Sequence, residues 1–363
     1  MCSSDLLPGG RYRPLSQISF AIEQEFIGTI PDGVSNNQSW DINQNGVQDQ
    51  IEDTNEDGIY NEYDFMIRGA GLRHLINVIL YALLVLLIYH VLAFFLFPSA
   101  KDMVFFACIL FSVHPLHTEV AANIKSRDEL LSLIFILATM LFSFRYLKSG
   151  TKKHLFYVGL FMLLALLSKE YALLLFIILP ITLFVFEPSK ISFKEVNFWV
   201  LLLFTTIATV AFIWFFNSGT LIAVPLLFLY GGYYFAKTSK FPITKIVYLL
   251  GVSLITYLGL RFSATIHELK VESFKGDIIA NPYMFASPTQ ELASKISVLL
   301  NYFKLFFLPS PLLADYSYDT IPYATFQSVS VWISLFLFFG LFLSAIFLRS
   351  EEHTSELQSL AYL

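Results

Sequence analysis

The sequence predicts an all-α, polytopic membrane protein of about nine or ten transmembrane helices, because its apolar runs approach the ~20 residues that cross a ~30 Å hydrocarbon core. The composition agrees: 56% of the 363 residues are hydrophobic and 14% are charged, whereas a soluble domain has about 25% charged residues. Only Cys2 and Cys108 occur, so no disulfide framework is expected. The chain has no basic tract, and we expect no nucleic-acid partner.

Both ends of the chain resemble foreign sequence. Residues 349–359 (RSEEHTSELQS) resemble a sequencing-library adapter translated in one frame, and residues 1–6 (MCSSDL) resemble its reverse complement. We therefore exclude residues 1–6 and 349–363 from the fold prediction, as one excludes fusion scars. We expect residues 7–348 to be an internal fragment that lacks native segments on both sides.

Residues 7–70 contain no span and form the first predicted outer loop. An irregular apolar face near its start predicts a short helix at the membrane surface. The residues of that face are Ile18, Phe20, Ala21, Ile22 and Phe26.

Two consecutive calcium loops are predicted at residues 41–64, as an insert in this outer loop. Residues 41–52 match the pattern D-x-[DN]-x-[DN]-G-x5-E at every position, and residues 53–64 repeat it with Asp64 at the end. The shorter Asp64 side chain predicts weaker binding in the second loop. The alternative is a metal-free turn region. The expected ligands of this structural calcium are Asp41, Asn43, Asn45, Val47 (carbonyl), Asp49, Glu52, Asp53, Asn55, Asp57, Ile59 (carbonyl), Asn61 and Asp64.

Apolar runs predict the spans in chain order. They cover residues 72–97, 100–113, 130–147, 155–167, 171–186, 198–216, 221–235, 246–260, 296–308 and 329–348. One helix over 155–186 would be ~48 Å long, so we predict a hairpin whose tip carries Lys169 and Glu170 as a structural ion pair. The run 296–308 is interrupted by Lys304, and both a span and a re-entrant segment remain open.

Lysine and arginine are distributed unevenly between the two sets of loops, which predicts the orientation. The richer, cytoplasmic set contains Lys101, Arg145, Lys148, Lys152, Lys153, Lys190, Lys194, Lys237, Lys240 and Lys245. The calcium loops, a polar segment at 113–131 and the loop 261–294 then lie on the outer side. We expect a multi-pass protein of a bacterial inner (cytoplasmic) membrane that contacts membrane lipid.

The segment 113–131 (VHPLHTEVAANIKSRDELL) concentrates ionisable residues between two apolar runs, where charge is costly and usually functional. Ser126 and Glu129 fit a capping box for the next span. The candidates for phosphate or acid–base chemistry are His117, Glu119, Lys125 and Arg127. A zinc site that uses the histidines and a plain salt-bridged loop are the alternatives.

The spacing of three of these polar residues predicts a shared helix face. Glu119, Asn123 and Arg127 lie at i, i+4 and i+8, and residues four apart are neighbours on a helix surface. An arginine on that face, with Lys125 nearby, is suited to binding a phosphate group.

Five sequence blocks occur in a set order: YRPLS, HPLHTE, SKE, NPY and ADYS. As an ordered set they resemble the GT-C membrane glycosyltransferases, and in particular the bacterial, tetratricopeptide-repeat-bearing relatives of the transmembrane O-mannosyltransferases targeting cadherins. The resemblance implies a GT-C-like domain over 71–348, a polyprenyl-phosphate sugar donor and no organic cofactor. It also implies an acidic pair upstream of Leu7 and helical repeats beyond Leu348.

The implied function is transfer of a sugar from the polyprenyl-phosphate donor to a protein or glycan hydroxyl at the outer face. Such transfer needs a carboxylate base and cationic contacts to the leaving phosphate. We assign Arg13, His117, Lys125 and Arg127 to the phosphate, with interfacial snorkelling as the alternative for Arg13, and Glu119 to orientation. Because the base is expected upstream, we expect residues 7–348 alone to be inactive.

Two other functions remain open on the sequence. One is a transporter or flippase for a lipid-linked or anionic solute, which predicts a symmetry between halves that the sequence does not show. The other is a non-catalytic, calcium-binding membrane scaffold.

Overall fold

The computed structural model describes residues 13–27, 70–187, 230–239 (without 231 and 235), 242–265, 283–312 and 321–361. Within these ranges the regular structure is helical throughout, as predicted. The calcium ligands of 41–64, the predicted span 198–216 and most of the predicted span 221–235 lie outside the described residues and stay predictions. The chain divides into two compact units, Met1–Val271 and Glu272–Leu363.

The first unit is built from helices joined by short helical turns. The α-helices are α1 Pro14–Ile27, α2 Ala70–Val91, α3 Lys101–Ser112, α4 Thr118–Ala122, α5 Arg127–Ser149, α6 Lys152–Ser168, α7 Leu175–Phe186 and α8 Pro242–Thr265. A π-helical turn, Leu92–Leu96, continues α2. The 3-10 turns are Pro115–His117, Ile124–Ser126 and Glu170–Leu174.

Three helices among the described residues are long and apolar enough to cross a membrane: Gly71–Leu96, Ile124–Ser149 and Pro242–Arg261. A fourth span results if α3 and Pro115–Ala122, which are bent by 54°, count as one. The chain is therefore an α-helical membrane protein. The predicted total of about nine or ten spans stays a prediction.

The core of this unit lies between α5, α6, α7 and α8. Phe144, Met162, Leu179 and Leu250, one from each helix, are buried in it. The Ser253 hydroxyl of α8 donates to the Gly159 carbonyl of α6 at 2.8 Å and so joins these two helices. Polar groups inside an apolar bundle need such partners, because an unpaired one is costly in a medium without water.

Ion pairs at the two ends of the bundle show the direction of its helices. Lys148 at the end of α5 lies 4.0 Å from Glu187, just after α7. Lys169, just after α6, pairs with Glu129 at the start of α5. Helices α5 and α7 therefore run in the same direction and α6 runs opposite, which confirms the predicted hairpin. The end that carries Lys148 is the predicted cytoplasmic end.

The second unit contains α9, Pro288–Phe307, and α10, Val329–Ala361. The predicted boundary at residue 296 is wrong, because a capping box starts α9 earlier: Ser287 accepts from the Gln290 amide at 3.3 Å and donates its own amide to the Gln290 side chain at 3.0 Å. Residues 288–294 of the predicted outer loop are therefore helical. Serine hydroxyls join the two helices, since Ser334 donates to the Ile296 carbonyl at 2.7 Å.

Candidate functional site

The polar segment between α3 and α5 is a chain of short turns and does not form one helix. Asn123 has an extended backbone (φ −81°, ψ 113°), and its side chain accepts from the Lys125 amide to start a new turn. The predicted shared face of Glu119, Asn123 and Arg127 is therefore wrong, because Glu119 lies before the break and Arg127 after it. Glu119 and Lys125 are exposed, whereas Arg127 is 1% exposed.

The predicted capping box at the start of α5 is also wrong. Ser126 makes no capping hydrogen bond, and its backbone (φ −76°, ψ 11°) is close to helical. The 3-10 turn before it leads directly into α5, so Ser126 does not adopt the extended geometry of a capping residue. The Asp128 carboxylate accepts from the Glu129 amide at 2.8 Å, and the Glu129 side chain pairs with Lys169.

Arg127 is the centre of a buried network that ties α1 and α2 to α5. Its Nη1 forms an ion pair with Glu23 of α1, and its Nε donates to the Asn77 side chain of α2 at 2.9 Å. Its Nη2 donates to the Arg73 carbonyl at 3.3 Å, and the guanidinium lies 4.3 Å from the Phe20 ring centroid. The buried Asn77 amide donates in turn to the Asn123 carbonyl at 3.2 Å.

A second, partly exposed group of charges lies beside this network, and we call it the ionic cluster. Arg13 pairs with Asp128, and its Nε lies 3.5 Å from Glu170. Lys169 pairs with Glu129 and lies 3.9 Å from Asp128. The predicted pair of Lys169 with Glu170 is therefore replaced by pairs with other segments.

The ionic cluster combines two cations and three carboxylates from the residue before α1, the start of α5 and the turn after α6. The Arg13 and Glu170 side chains are 24% and 27% exposed, respectively. The cluster is therefore accessible to a ligand, while Asp128, at 9%, is almost enclosed. Charges held at the end of membrane helices are costly and mark functional sites by default.

Helix α1 exposes two of its isoleucines and buries two of its polar residues. Ile18 and Ile22 are 53% and 54% exposed, while Ser16 and Glu23 are buried. The predicted short helix is therefore confirmed, and its location at the membrane surface stays a prediction. Phe20 was predicted on the apolar face but lies against Arg127, because cation–π contact competes with burial in lipid.

A cavity of about 400 Å³ lies between α2 and the polar segment. From α2 it is lined by His74, Val78 and Tyr81, whose spacing places them on one helix face. From the other side it is lined by residues that include His114 and His117. It is within the size range of small-ligand pockets, about 300–1,000 Å³.

His117 is held by its backbone surroundings. Its Nδ1 lies 2.7 Å from the Phe111 carbonyl and 3.1 Å from the Tyr81 hydroxyl. The residue lies beyond α3, in the polar segment outside the predicted spans. Burial lowers the pKa of the imidazole, the hydrogen bond to Phe111 acts in the opposite direction, and the neighbouring His114 lowers the pKa further.

The five predicted site residues do not come together at one place. Arg13 belongs to the ionic cluster, Arg127 is enclosed, His117 lines the cavity, and Glu119 and Lys125 are exposed on the polar segment. Among the described residues, no group of three or more His, Cys, Asp or Glu is arranged to hold a metal ion. Sequence reasoning missed Glu23, Asn77 and Tyr81, although a lone Asn in an apolar span is itself a signal.

Comparisons with known proteins give one partial similarity. No family model matches the chain, and no solved structure matches it. Over 108 residues, or 28% of its length, the chain is 35% identical to the protein O-mannosyl-transferase F38B6.6 of Caenorhabditis elegans. The match spans 14% of that relative. Over part of its length, this helical membrane chain is thus similar to a protein O-mannosyl-transferase.

Proposed function

We propose that the protein is a GT-C-type glycosyltransferase that moves a sugar from a polyprenyl-phosphate donor to a protein or glycan hydroxyl. The observation that carries the proposal is the ionic cluster, which gathers cations and carboxylates at the end of the bundle opposite to Lys148. The partial similarity to a protein O-mannosyl-transferase supports the same reaction class.

The charge arrangement fits the transfer of a group from an anionic lipid. A leaving phosphate develops negative charge, which positioned cations stabilise. Arg13 and Lys169 supply that charge from partly exposed positions. Asp128, Glu129 and Glu170 hold these cations in place before the donor binds. Arg127 has an indirect role here, because its guanidinium is enclosed by Glu23 and Asn77.

The proposed side of the membrane for the ionic cluster follows from the charges at the two ends of the helix bundle. By the positive-inside rule, the end that carries Lys148 is cytoplasmic and the ionic cluster faces outward. The inner membrane of a bacterium and structural calcium at residues 41–64 belong to this proposal as predictions.

The test uses the complete gene product in liposomes with a polyprenyl-phosphate mannose donor and a serine/threonine peptide or a glycan as acceptor. We expect Arg13→Gln to lower kcat about 10²–10³-fold, the usual cost of one lost electrostatic contact in the transition state. The matched control is Lys153→Gln at the other end of the bundle, which keeps wild-type transfer. Normal transfer by a folded Arg13→Gln variant would remove the ionic cluster from the reaction.

A further inference from the structure

Cations gather at the end of the bundle that carries Lys148, opposite to the ionic cluster. Among the described residues, the turns α2–α3 and α5–α6 and the helix ends beside them bring five cations, which are Lys101, Arg145, Lys148, Lys152 and Lys153. The carboxylates described next to them are Asp102 and Glu187. Five cations against two carboxylates give these groups a net charge of +3, whereas the two cations and three carboxylates of the ionic cluster give −1.

Two of these lysines, from different turns, lie over neighbouring rings of the π-helical turn that continues α2. The Lys101 Nζ is 4.7 Å from the centroid of the Phe94 ring, and the Lys148 Nζ is 4.7 Å from that of Phe95. The His90 ring contacts both phenylalanines, with centroid distances of 5.0 and 5.9 Å. We call these five residues the basic aromatic cluster. Turns of π-helix inside α-helices are frequent at functional sites.

The phenylalanine rings position the two ammonium groups without neutralising them. A cation is attracted to the quadrupole of a ring face, and the ring itself carries no net charge. In the ionic cluster, by contrast, each cation pairs with a carboxylate. Lys148 has a carboxylate oxygen of Glu187 at 4.0 Å, which is too far for a hydrogen bond. The positive charge of the basic aromatic cluster is therefore left to attract an anion from outside the chain.

Aromatic side chains continue from this cluster onto α3. The ring centroids of Phe94 and Tyr89 are 6.4 Å apart, those of Tyr89 and Phe105 are 6.2 Å apart, and those of Phe105 and Phe106 are 6.0 Å apart. Phe94, Phe105 and Phe106 are exposed. We call these four residues the aromatic strip. A ligand that matches both surfaces has an anionic head and an apolar tail.

We propose that the basic aromatic cluster binds an anionic phospholipid, with the headgroup phosphate at Lys101 and Lys148 and an acyl chain along the aromatic strip. Basic pockets between membrane helices on the cytoplasmic side bind anionic headgroups, and this end is the predicted cytoplasmic one. A soluble acidic protein would meet the two ammonium groups but would leave the aromatic strip uncovered. The site is separate from the proposed transfer reaction, because the ionic cluster lies at the other end of the bundle.

The first experiment measures lipid binding to the complete gene product in detergent micelles by native mass spectrometry. Dioleoyl phosphatidylglycerol is anionic and dioleoyl phosphatidylcholine is zwitterionic, while their chains are identical. We expect the wild type to bind phosphatidylglycerol more tightly. Lys101→Gln/Lys148→Gln should weaken that binding about 30-fold, because each lysine near an anionic lipid surface contributes about 1 kcal/mol and about 1.4 kcal/mol is a factor of 10.

Two further double variants separate a lost charge from a lost fold. Lys101→Arg/Lys148→Arg keeps both charges, and arginine also stacks on aromatic rings, so this variant should bind phosphatidylglycerol like the wild type. Lys125→Gln/Lys304→Gln removes two exposed lysines elsewhere and should also bind it normally. Equal affinity of the wild type for the two lipids would overturn the proposal. Undiminished binding by Lys101→Gln/Lys148→Gln, or an equal loss in the control variant, would overturn it as well.

The second experiment locates the bound lipid. A phosphatidylglycerol with a diazirine in its acyl chain is activated by light, and peptide mass spectrometry identifies the labelled residues. We expect labels on Phe105 and Phe106 in the wild type and their loss in Lys101→Gln/Lys148→Gln. Labels confined to the polar segment would overturn the location. Displacement of the lipid by inorganic phosphate or by a glutamate-rich peptide would overturn the lipid assignment, in favour of a simple anion site or of an acidic protein partner, respectively.

Discussion

Replacing Arg127 tests whether this residue holds the fold together or contacts the donor. Arg127→Met leaves the Glu23 carboxylate buried without its cation and leaves the Asn77 side-chain oxygen without its donor. Removing one partner of a buried ion pair costs about 3–5 kcal/mol. At ~2–4 °C per kcal/mol for a domain of ~150–250 residues, the midpoint of thermal unfolding should fall by roughly 6–20 °C.

The double variant Glu23→Met/Arg127→Met gives the decisive comparison. It removes both charges, and apolar replacement of a buried pair is often neutral. The remaining cost is the unpaired Asn77 oxygen, about 1–3 kcal/mol. We therefore expect the double variant to be more stable than either single variant.

The assay is far-UV circular dichroism of the protein in detergent micelles during heating, followed by sugar transfer at a temperature where all variants are folded. Additive losses in the double variant would refute the pairing of Arg127 with Glu23. A stable double variant whose kcat falls about 10²–10³-fold would refute the structural role, because that loss is typical of a missing transition-state contact.

Three further outcomes follow from single features. Gly150 ends α5 with φ +67°, so Gly150→Ala should lower stability by about 1 kcal/mol, measured by the same melting assay. Because the pKa of His117 is lowered on folding, its stabilising contribution is present above about pH 6.5 and is lost as the pH falls through the folded value; melting at stepped pH should show this loss in the wild type and not in His117→Asn. Glu52 is the predicted twelfth ligand of the first calcium loop, so Glu52→Gln should weaken terbium luminescence of the whole chain, while unchanged luminescence would contradict the loop assignment.

Sequence reasoning was most successful where local composition decides the outcome. The helix at Pro14–Ile27, the break at Lys169 and the span predicted from residue 130 all follow from short-range patterns of apolar and polar residues. The structure has each of them, with α5 beginning three residues earlier than predicted, at Arg127. The boundary of α9 was missed because Ser287 and Gln290 start the helix inside a segment that is polar overall. A hydropathy profile does not detect a capping box, which is a matter of individual hydrogen bonds.

The candidate site shows more clearly what could not be predicted from the sequence. The sequence drew attention to His117 and Arg127 as ionisable residues between spans, and the family resemblance drew attention to Arg13. Each of the three makes polar contacts in the structure. It did not show that Asp128 would meet Arg13, since 115 positions separate them. It also suggested one helix through Asn123, where the chain in fact turns.

By itself, the sequence determined that this is an α-helical membrane protein, that its charged residues gather between spans, and where most of the described helices lie, because these properties depend on residues close together in the chain. Only the tertiary structure decided which charges pair. Packing of α1 and α2 against α5 buries Arg127 with Glu23 and leaves Arg13 and Lys169 partly exposed. A charge is costly in an apolar medium and pairs with an opposite charge that the fold brings close to it. The residues next to it in the sequence do not determine which charge that is.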